Sequence, residues 1–188
     1  MKYLAIASAL VMLLAASVSA ATLYVPSQYS TIQTGINASS NGDTILVADG
    51  TYTGSGNRNL DFGGRAIVVK SENGPDHCKI NCQNSGRGAY FHSGESNSAI
   101  LEGFTITAGS NTYGGAIYIV NSSPTIKRCI LWNNNGYLGG SINIANGSPI
   151  IAHCTLVQNA ATQGGAIYAT NTSMIINSCI VVNNTASG

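Results

Sequence analysis

The chain has 188 residues, 44% of them hydrophobic and only 8% charged, with a formal net charge of +1. That length and apolar content support one domain with a substantial core. Basic residues are few and form no stripe, which excludes nucleic acid as a partner, because a phosphate backbone needs a cationic track.

The first twenty residues, MKYLAIASALVMLLAASVSA, place a lysine before an apolar run from Leu4 to Ala16 and end on Val18-Ser19-Ala20. This is the pattern of a secretory signal peptide cut before Ala21, with an apolar part too short to span a bilayer. Export to the extracellular space or the cell surface is expected, the outer membrane being the surface in a bacterium. No later stretch is apolar enough to cross a membrane, so the mature chain 21–188 is expected to lack a transmembrane segment.

Residues 22–43 read as an N-terminal cap. Ser30 or Thr31 can start a short helix in which Tyr29, Ile32 and Ile36 share one face at spacings of three and four. A stacked array exposes an apolar cross-section at its end, and an amphipathic segment laid across it is the expected cover. Asn41-Gly42-Asp43 then turns the chain into a strand, Thr44 to Val47, and Asp49-Gly50-Thr51-Tyr52 turns it again.

From here glycine sets a phase. Gly63, Gly88, Gly114, Gly139 and Gly164 lie 25, 26, 25 and 25 residues apart, each ahead of an apolar strand. Five coils can be phased in this way, and the Ile45 strand supplies a sixth. Ala99 to Thr107 falls one period before PTIKRCILW, which predicts Leu101 under Ile126 and Phe104 under Cys129.

Residues 114–188 are three 25-residue repeats that align without a gap: GGAIYIVNSSPTIKRCILWNNNGYL, GGSINIANGSPIIAHCTLVQNAATQ and GGAIYATNTSMIINSCIVVNNTASG. Apolar positions sit two apart within short runs, the period of a strand. Gly-Gly pairs and Asn/Ser clusters break the runs. Equal coils of short strands wind into a parallel β-solenoid, in which like residues stack at a rung spacing of about 4.8 Å. The expected ladders are Ile117/Ile142/Ile167, Ile119/Ile144/Ala169, Ile126/Ile151/Ile176 and Leu131/Leu156/Val181. About six coils make a rod roughly 25–30 Å long.

Two asparagine ladders recur at fixed phase, Asn134/Asn159/Asn184 and Asn121/Asn146/Asn171, where stacked amides can bond along the axis. The N-x-S/T triplets at Asn121, Asn146, Asn171 and Asn183 need no glycan to explain them. Cys129, Cys154 and Cys179 form an inward ladder of small buried hydrophobes. Cys78 and Cys82 can pair with each other, although a strand through CKINC points both the same way, and both alternatives stand. His77 lies beside them, but no fourth ligand follows at finger spacing, so no metal site is expected.

Coils of this length carrying GGAIY, GGSIN and GGAIY, each followed by Leu/Val-x-x-Asn (Leu131 to Asn134, Leu156 to Asn159, Val181 to Asn184), resemble the right-handed parallel β-helix repeats of the pectin-lyase-like superfamily. The paired motifs are similar to the GGAI and FxxN repeats of polymorphic outer-membrane proteins, with Leu or Val in place of Phe. The lead-in TIQTGINASSNGDTILVADGTYT is similar to the opening of exported β-helix proteins and of pectin methylesterases. The resemblance covers residues 22–188 and implies an all-β, right-handed parallel β-helix with a short N-terminal capping helix. It implies no single activity, because that fold hosts lyases, hydrolases, esterases, adhesins and scaffolds.

Enzymes of that resemblance use clustered carboxylates. All seven acidic residues here (Asp43, Asp49, Asp61, Glu72, Asp76, Glu95, Glu102) precede residue 103, and the three repeats contain none. A carboxylate pair or calcium cage therefore cannot be built on the repeats. Tyr52 is followed by Thr53 and Gly54, where the methylesterase motif has a Glu. Asp61, Glu95 and Glu102 can still meet Arg65, Arg87 or His92 across neighbouring coils. No catalytic residue, metal or cofactor is assigned, and Arg128 and His153 are read as exposed turn residues.

The outward positions carry the functional expectation. Ile130, Thr155 and Ile180 with Trp132, Val157 and Val182 make an apolar stripe, and Tyr118, Asn143 and Tyr168 point out from another strand. Trp132, Tyr118 and Tyr168 are the candidate binding residues, because aromatics beside amides can hold sugar rings. The expected function is an exported scaffold or adhesive, carbohydrate-binding module of a surface or extracellular protein, with a polysaccharide or cell-surface partner. The alternative is a polysaccharide-acting enzyme or part of one. The last repeat leaves Ile167, Ile176, Cys179 and Val181 without cover, so the chain is expected to be C-terminally incomplete or to associate end to end with another copy.

Overall fold

A computed structural model describes residues 19–188; the apolar run Leu4–Ala16 of the expected signal peptide lies outside the described residues. The chain winds into a parallel β-solenoid with four sheets along its length. The longest sheet stacks seven strands: Thr22–Val25, Thr44–Val47, Val68–Ser71, Ile100–Glu102, Thr125–Lys127, Ile150–Ala152 and Ile175–Asn177. A six-stranded sheet runs from Gly50–Tyr52 to Ile180–Val182, a five-stranded sheet from Leu60–Asp61 to Ile167–Thr172, and a four-stranded sheet from Ser110–Tyr113 to Thr185–Ala186. There are thus about seven turns rather than six. The additional one starts at Thr22–Val25, which pairs in register with Thr44–Val47 and makes the first part of the cap a rung of its own.

The ladders of the three repeats form as their spacing predicts. Ile117 pairs with Ile142 and Ile142 with Ile167, while Ile126, Ile151 and Ile176 and then Leu131, Leu156 and Val181 stack in the same way. Leu101 pairs with Ile126. Inward Ile, Leu, Val and Phe side chains fill one continuous core, including the ring pair Phe62 and Phe91 at 4.6 Å. All five cysteines are free; Cys78 and Cys82 both face inward on one side of their strand, which separates their thiols from a bridge geometry.

Helix Ile32–Ala38 closes the first rung. Thr31 caps it: the Thr34 N–H donates to Thr31 Oγ1 and the Thr31 N–H donates back to Thr34 Oγ1, each at 3.2 Å. Ile32 and Ile36 are fully buried, and Tyr29 packs partly against the same core. Gly35 permits the close approach, since a Cβ there would stand 3.2 Å from both Ile45 and Val25 side chains. At the other end Ile176 and Val181, inward by phase, are 45% and 52% exposed on the last rung.

The glycine phasing of the early coils is corrected. Gly63 leads into Val68–Ser71 of the seven-stranded sheet, whereas Gly88 leads into Ala89–Phe91 of the five-stranded sheet. Ala89 pairs with Ile117, and the Gly88 N–H donates to Ala116 O at 2.8 Å, so Gly88 stands opposite Ala116 and not Gly114. The physical reason is that early coils carry loops of unequal length, and glycine serves any of their corners. Later corners are turned by single left-handed residues: Arg128, His153 and Ser178 have φ of 52°, 53° and 51°, and Asn121, Asn146 and Asn171 have 51°, 55° and 49°.

Candidate functional site

The outer face of the five-stranded sheet gathers the polar and aromatic side chains. Along it Asp61, Tyr90, Tyr118, Asn143 and Tyr168 are successive partners, one per rung. Strand alternation puts them there: Ala89 and Phe91 are buried while Tyr90 between them faces out, and Ile117 and Ile119 do the same for Tyr118. Asn143, expected to point into solvent, is instead 3% exposed between Tyr118 and Tyr168. The larger neighbours on either side cover the shorter amide.

Register turns the tyrosines into a stack. The Tyr90 and Tyr118 rings lie 5.2 Å apart and within 6° of parallel, close to the rung spacing. His92 stacks beyond Tyr90 at 4.1 Å, and its Nε2 lies 3.3 Å from Asp61 Oδ2. Tyr113, from the end of strand Ser110–Tyr113, comes round the corner to stack on Tyr118 at 5.4 Å and is 44% exposed.

Arg87 lies against this stack. Its guanidinium carbon is 5.0 Å from both the Tyr90 and the Tyr118 ring centroids, so it stands equidistant from the pair. The backbone on either side is anchored: the Arg87 N–H donates to Asn59 Oδ1 at 3.0 Å, and the Asn59 N–H donates to Arg87 O at 2.6 Å. The residue is 8% exposed, and its Nη1 is buried without a hydrogen-bond partner. Burial lowers the guanidinium from its ordinary value, while the two tyrosines act in the opposite direction. Burial raises the Tyr118 hydroxyl, with Tyr90 and Tyr113 adding to the effect.

Beside Tyr113 the four-stranded sheet carries a groove of about 440 Å³, lined by Ser110, Asn111, Thr112, Asn135, Tyr137 and Thr162. Hydroxyls, amides and the 52% exposed Tyr137 ring share it. A second cavity, of about 330 Å³, lies between Lys70, Glu72, Asn73, Glu102 and Arg128. There Glu102 is saturated with cations: Lys127 Nζ at 3.1 Å and Arg128 Nη1 at 2.9 Å.

Of the charge meetings expected across coils, Asp61 finds His92. Glu102 finds Lys127 and Arg128 rather than Arg65, Arg87 or His92, which gives Arg128 an ion pair at its exposed corner. Among the described residues Glu95 meets no cation. It is buried and accepts the Gly64 and Ser93 N–H groups at 2.9 Å each and the Ser122 hydroxyl at 2.8 Å. Burial opposes its ionisation, yet these donors together hold its carboxyl below the usual range. Among the described residues no group of three or more His, Cys, Asp or Glu is placed to hold a metal ion.

Tyr118 and Tyr168 thus lie on one face, separated by Asn143, while Trp132 lies on the six-stranded sheet, 38% exposed, its Nε1 donating to Gln158 Oε1 at 2.7 Å. Arg87, Tyr90, His92 and Tyr113 were not singled out as binding residues from the sequence. The signal that finds Tyr90 is alternation: Ala89-Tyr90-Phe91 matches Ile117-Tyr118-Ile119 as apolar, tyrosine, apolar. No family model, no curated protein and no solved structure matches this chain.

Proposed function

We propose that the chain is an exported β-solenoid scaffold that binds carbohydrate across the face formed by Tyr113, Tyr118 and the adjoining groove. The observation that carries this reading is the exposed Tyr113 ring, which stacks on Tyr118 of the in-register tyrosine row and directly follows Thr112 of the hydroxyl- and amide-lined groove. A sugar ring offers an apolar face for stacking and a rim of hydroxyls for hydrogen bonds, and this surface supplies partners for both. Parallel rungs hold the rings at a fixed repeat, which lowers the ordering cost on binding. Its apolar, Lys-led first twenty residues support export, and its GGAI-type repeats support an adhesive or display role at a surface.

The test is titration of the purified protein with a panel of neutral and acidic oligosaccharides by calorimetry. Tyr113→Ala and Tyr118→Ala are expected to weaken binding about tenfold each, as loss of a stacking ring does, with the fold intact by circular dichroism. Trp132→Ala examines the other candidate surface in the same assay: loss there, with none at Tyr113 or Tyr118, moves the site to the six-stranded sheet. No affinity for any glycan of the panel sinks the reading.

A polysaccharide-acting enzyme is the second reading, favoured by one observation, the carboxylate–imidazole pair of Asp61 and His92 at the end of the ring stack. Turnover of any glycan in that panel, lost in Asp61→Asn, would establish it in place of simple binding.

A further inference from the structure

We infer, building on the glycan-binding reading, that Arg87 is the receptor for an oxyanion carried by the ligand, a carboxylate or sulfate on a saccharide. The described residues include four arginines, and three of them have acceptors. Arg58 Nη1 donates to Gln83 Oε1 at 3.2 Å, Arg65 Nη1 to Phe62 O at 3.1 Å, and Arg128 Nη1 to Glu102 Oε1 at 2.9 Å. Arg87 Nη1 is buried and has none.

A buried donor without an acceptor is unfavourable, and buried charge is ordinarily paired. Asp61, the strand partner of Tyr90, faces His92 instead. The Tyr90 and Tyr118 rings compensate the positive charge through their π systems, but a ring offers no lone pair to the N–H fork. What remains unmet is the Nη1 donor of the guanidinium, part of the N–H fork that recognises a two-oxygen anion in bidentate fashion.

The surroundings are fixed for this task. Asn59 holds the Arg87 backbone on both sides, and the rings form a low-polarity wall, so an oxyanion bound there is drawn to a charge with little competing water. Arg87 keeps 8% of its surface exposed, and the oxyanion enters there and supplies the acceptor that the protein withholds. Tyr113, one ring further along the stack, places the saccharide bearing it in the adjoining groove.

The experiment compares three probes on the purified protein: an oligosaccharide ending in glucuronate, its neutral counterpart ending in glucose, and inorganic sulfate. Calorimetry on the unmodified chain is expected to show the glucuronate probe binding at least about tenfold tighter than the neutral one, with the preference shrinking as salt rises. Arg87→Gln should bring the two sugars to within about twofold, and Arg87→Lys, which keeps the charge but not the fork, should fall between.

Equal affinity for both sugars in the unmodified protein, or an undiminished preference in a folded Arg87→Gln, overturns the oxyanion assignment and leaves glycan binding standing. Sulfate binding without either sugar keeps the oxyanion site and sinks the glycan reading; silence from all three probes sinks both. Should Arg87→Gln not fold, the near-ultraviolet tyrosine signal of the unmodified chain decides. A change produced by the glucuronate probe and not by the neutral sugar supports the site, and no difference between them overturns it.

Discussion

Asn134 Nδ2 donates to Asn159 Oδ1 at 3.0 Å, and one rung later Asn159 Nδ2 donates to Asn184 Oδ1 at 2.9 Å. The same oxygens also receive main-chain N–H groups, Asn134 N to Asn159 and Asn159 N to Asn184. Each amide reaches back to a main-chain carbonyl as well, at Ile106, Leu131 and Leu156. Asn134 and Asn159 are 2% and 1% exposed, so these bonds satisfy groups that water does not reach. The ladder begins at Gly109, whose N–H donates to Asn134 Oδ1 at 2.8 Å.

Asn159→Ala is therefore expected to destabilise the chain by about 2–4 kcal/mol, because it removes the bonds Asn159 Nδ2 donates to Leu131 O and Asn184 Oδ1 and leaves the buried Asn134 main-chain N–H without its acceptor. A urea titration should show a lower midpoint with an unchanged slope. A midpoint within error of the unmodified protein would mean that the ladder is decoration on a stack held by its core.

Ser141→Ala should act in the opposite direction. Ser141 stands where the other two repeats have Ala116 and Ala166; its Oγ is buried without a hydrogen-bond partner, and the residue is fully enclosed. Removing that hydroxyl is expected to gain about 1 kcal/mol, which for a chain of this size raises Tm by about 2–4 °C. A lower Tm would show that the hydroxyl makes a bond the structure does not record.

Acid should weaken the N-terminal half first. Asp43 is held below the usual carboxylate range by the Ser40 N–H and then the Ala21 N–H, at 2.7 and 2.8 Å, and Glu95 is lowered as described above. Both folded values lie below the unfolded ones. Their contribution is complete above the unfolded values of about 4 and disappears as pH falls through the lowered folded values. Melting temperature should therefore drop as pH falls below about 4, with a smaller drop in Asp43→Asn/Glu95→Gln. An equal drop in the double variant assigns acid sensitivity to other groups.

Much of this architecture was legible in the letters. Ile117, Ile142 and Ile167 share a phase because a rung of constant length forces them to, and Leu101 under Ile126 follows from the same count. Helix Ile32–Ala38 was legible from its cap and from the spacing of Ile32 and Ile36. The early coils were harder: Val68 pairs with Ile100, 32 residues on, whereas Ile100 pairs with Thr125 only 25 residues on. With unequal loops, Gly63 and Gly88 no longer mark equivalent corners.

The ring stack was only partly legible, for the same reason. Tyr118 and Tyr168 belong to the regular repeats and could be oriented, but Tyr90 meets Tyr118 only if Ala89 is set against Ile117. Arg87 depends on a further step, since nothing in its own neighbourhood of sequence says that a side chain ahead of a strand folds back over two rings. Asp61 and His92 are near in space because Leu60–Asp61 and Ala89–Phe91 are adjacent strands.

The contrast between uneven early coils and uniform later ones makes the chain an adjustable ruler. Arg87, Tyr90 and His92 belong to the uneven part, whereas residues 139–163 form an interchangeable unit whose two junctions present the same Gly-Gly step. Duplicating that segment would lengthen the rod by about 4.8 Å and leave Arg87 where it is. Length can thus be changed one module at a time without rebuilding the coils that carry the ring stack.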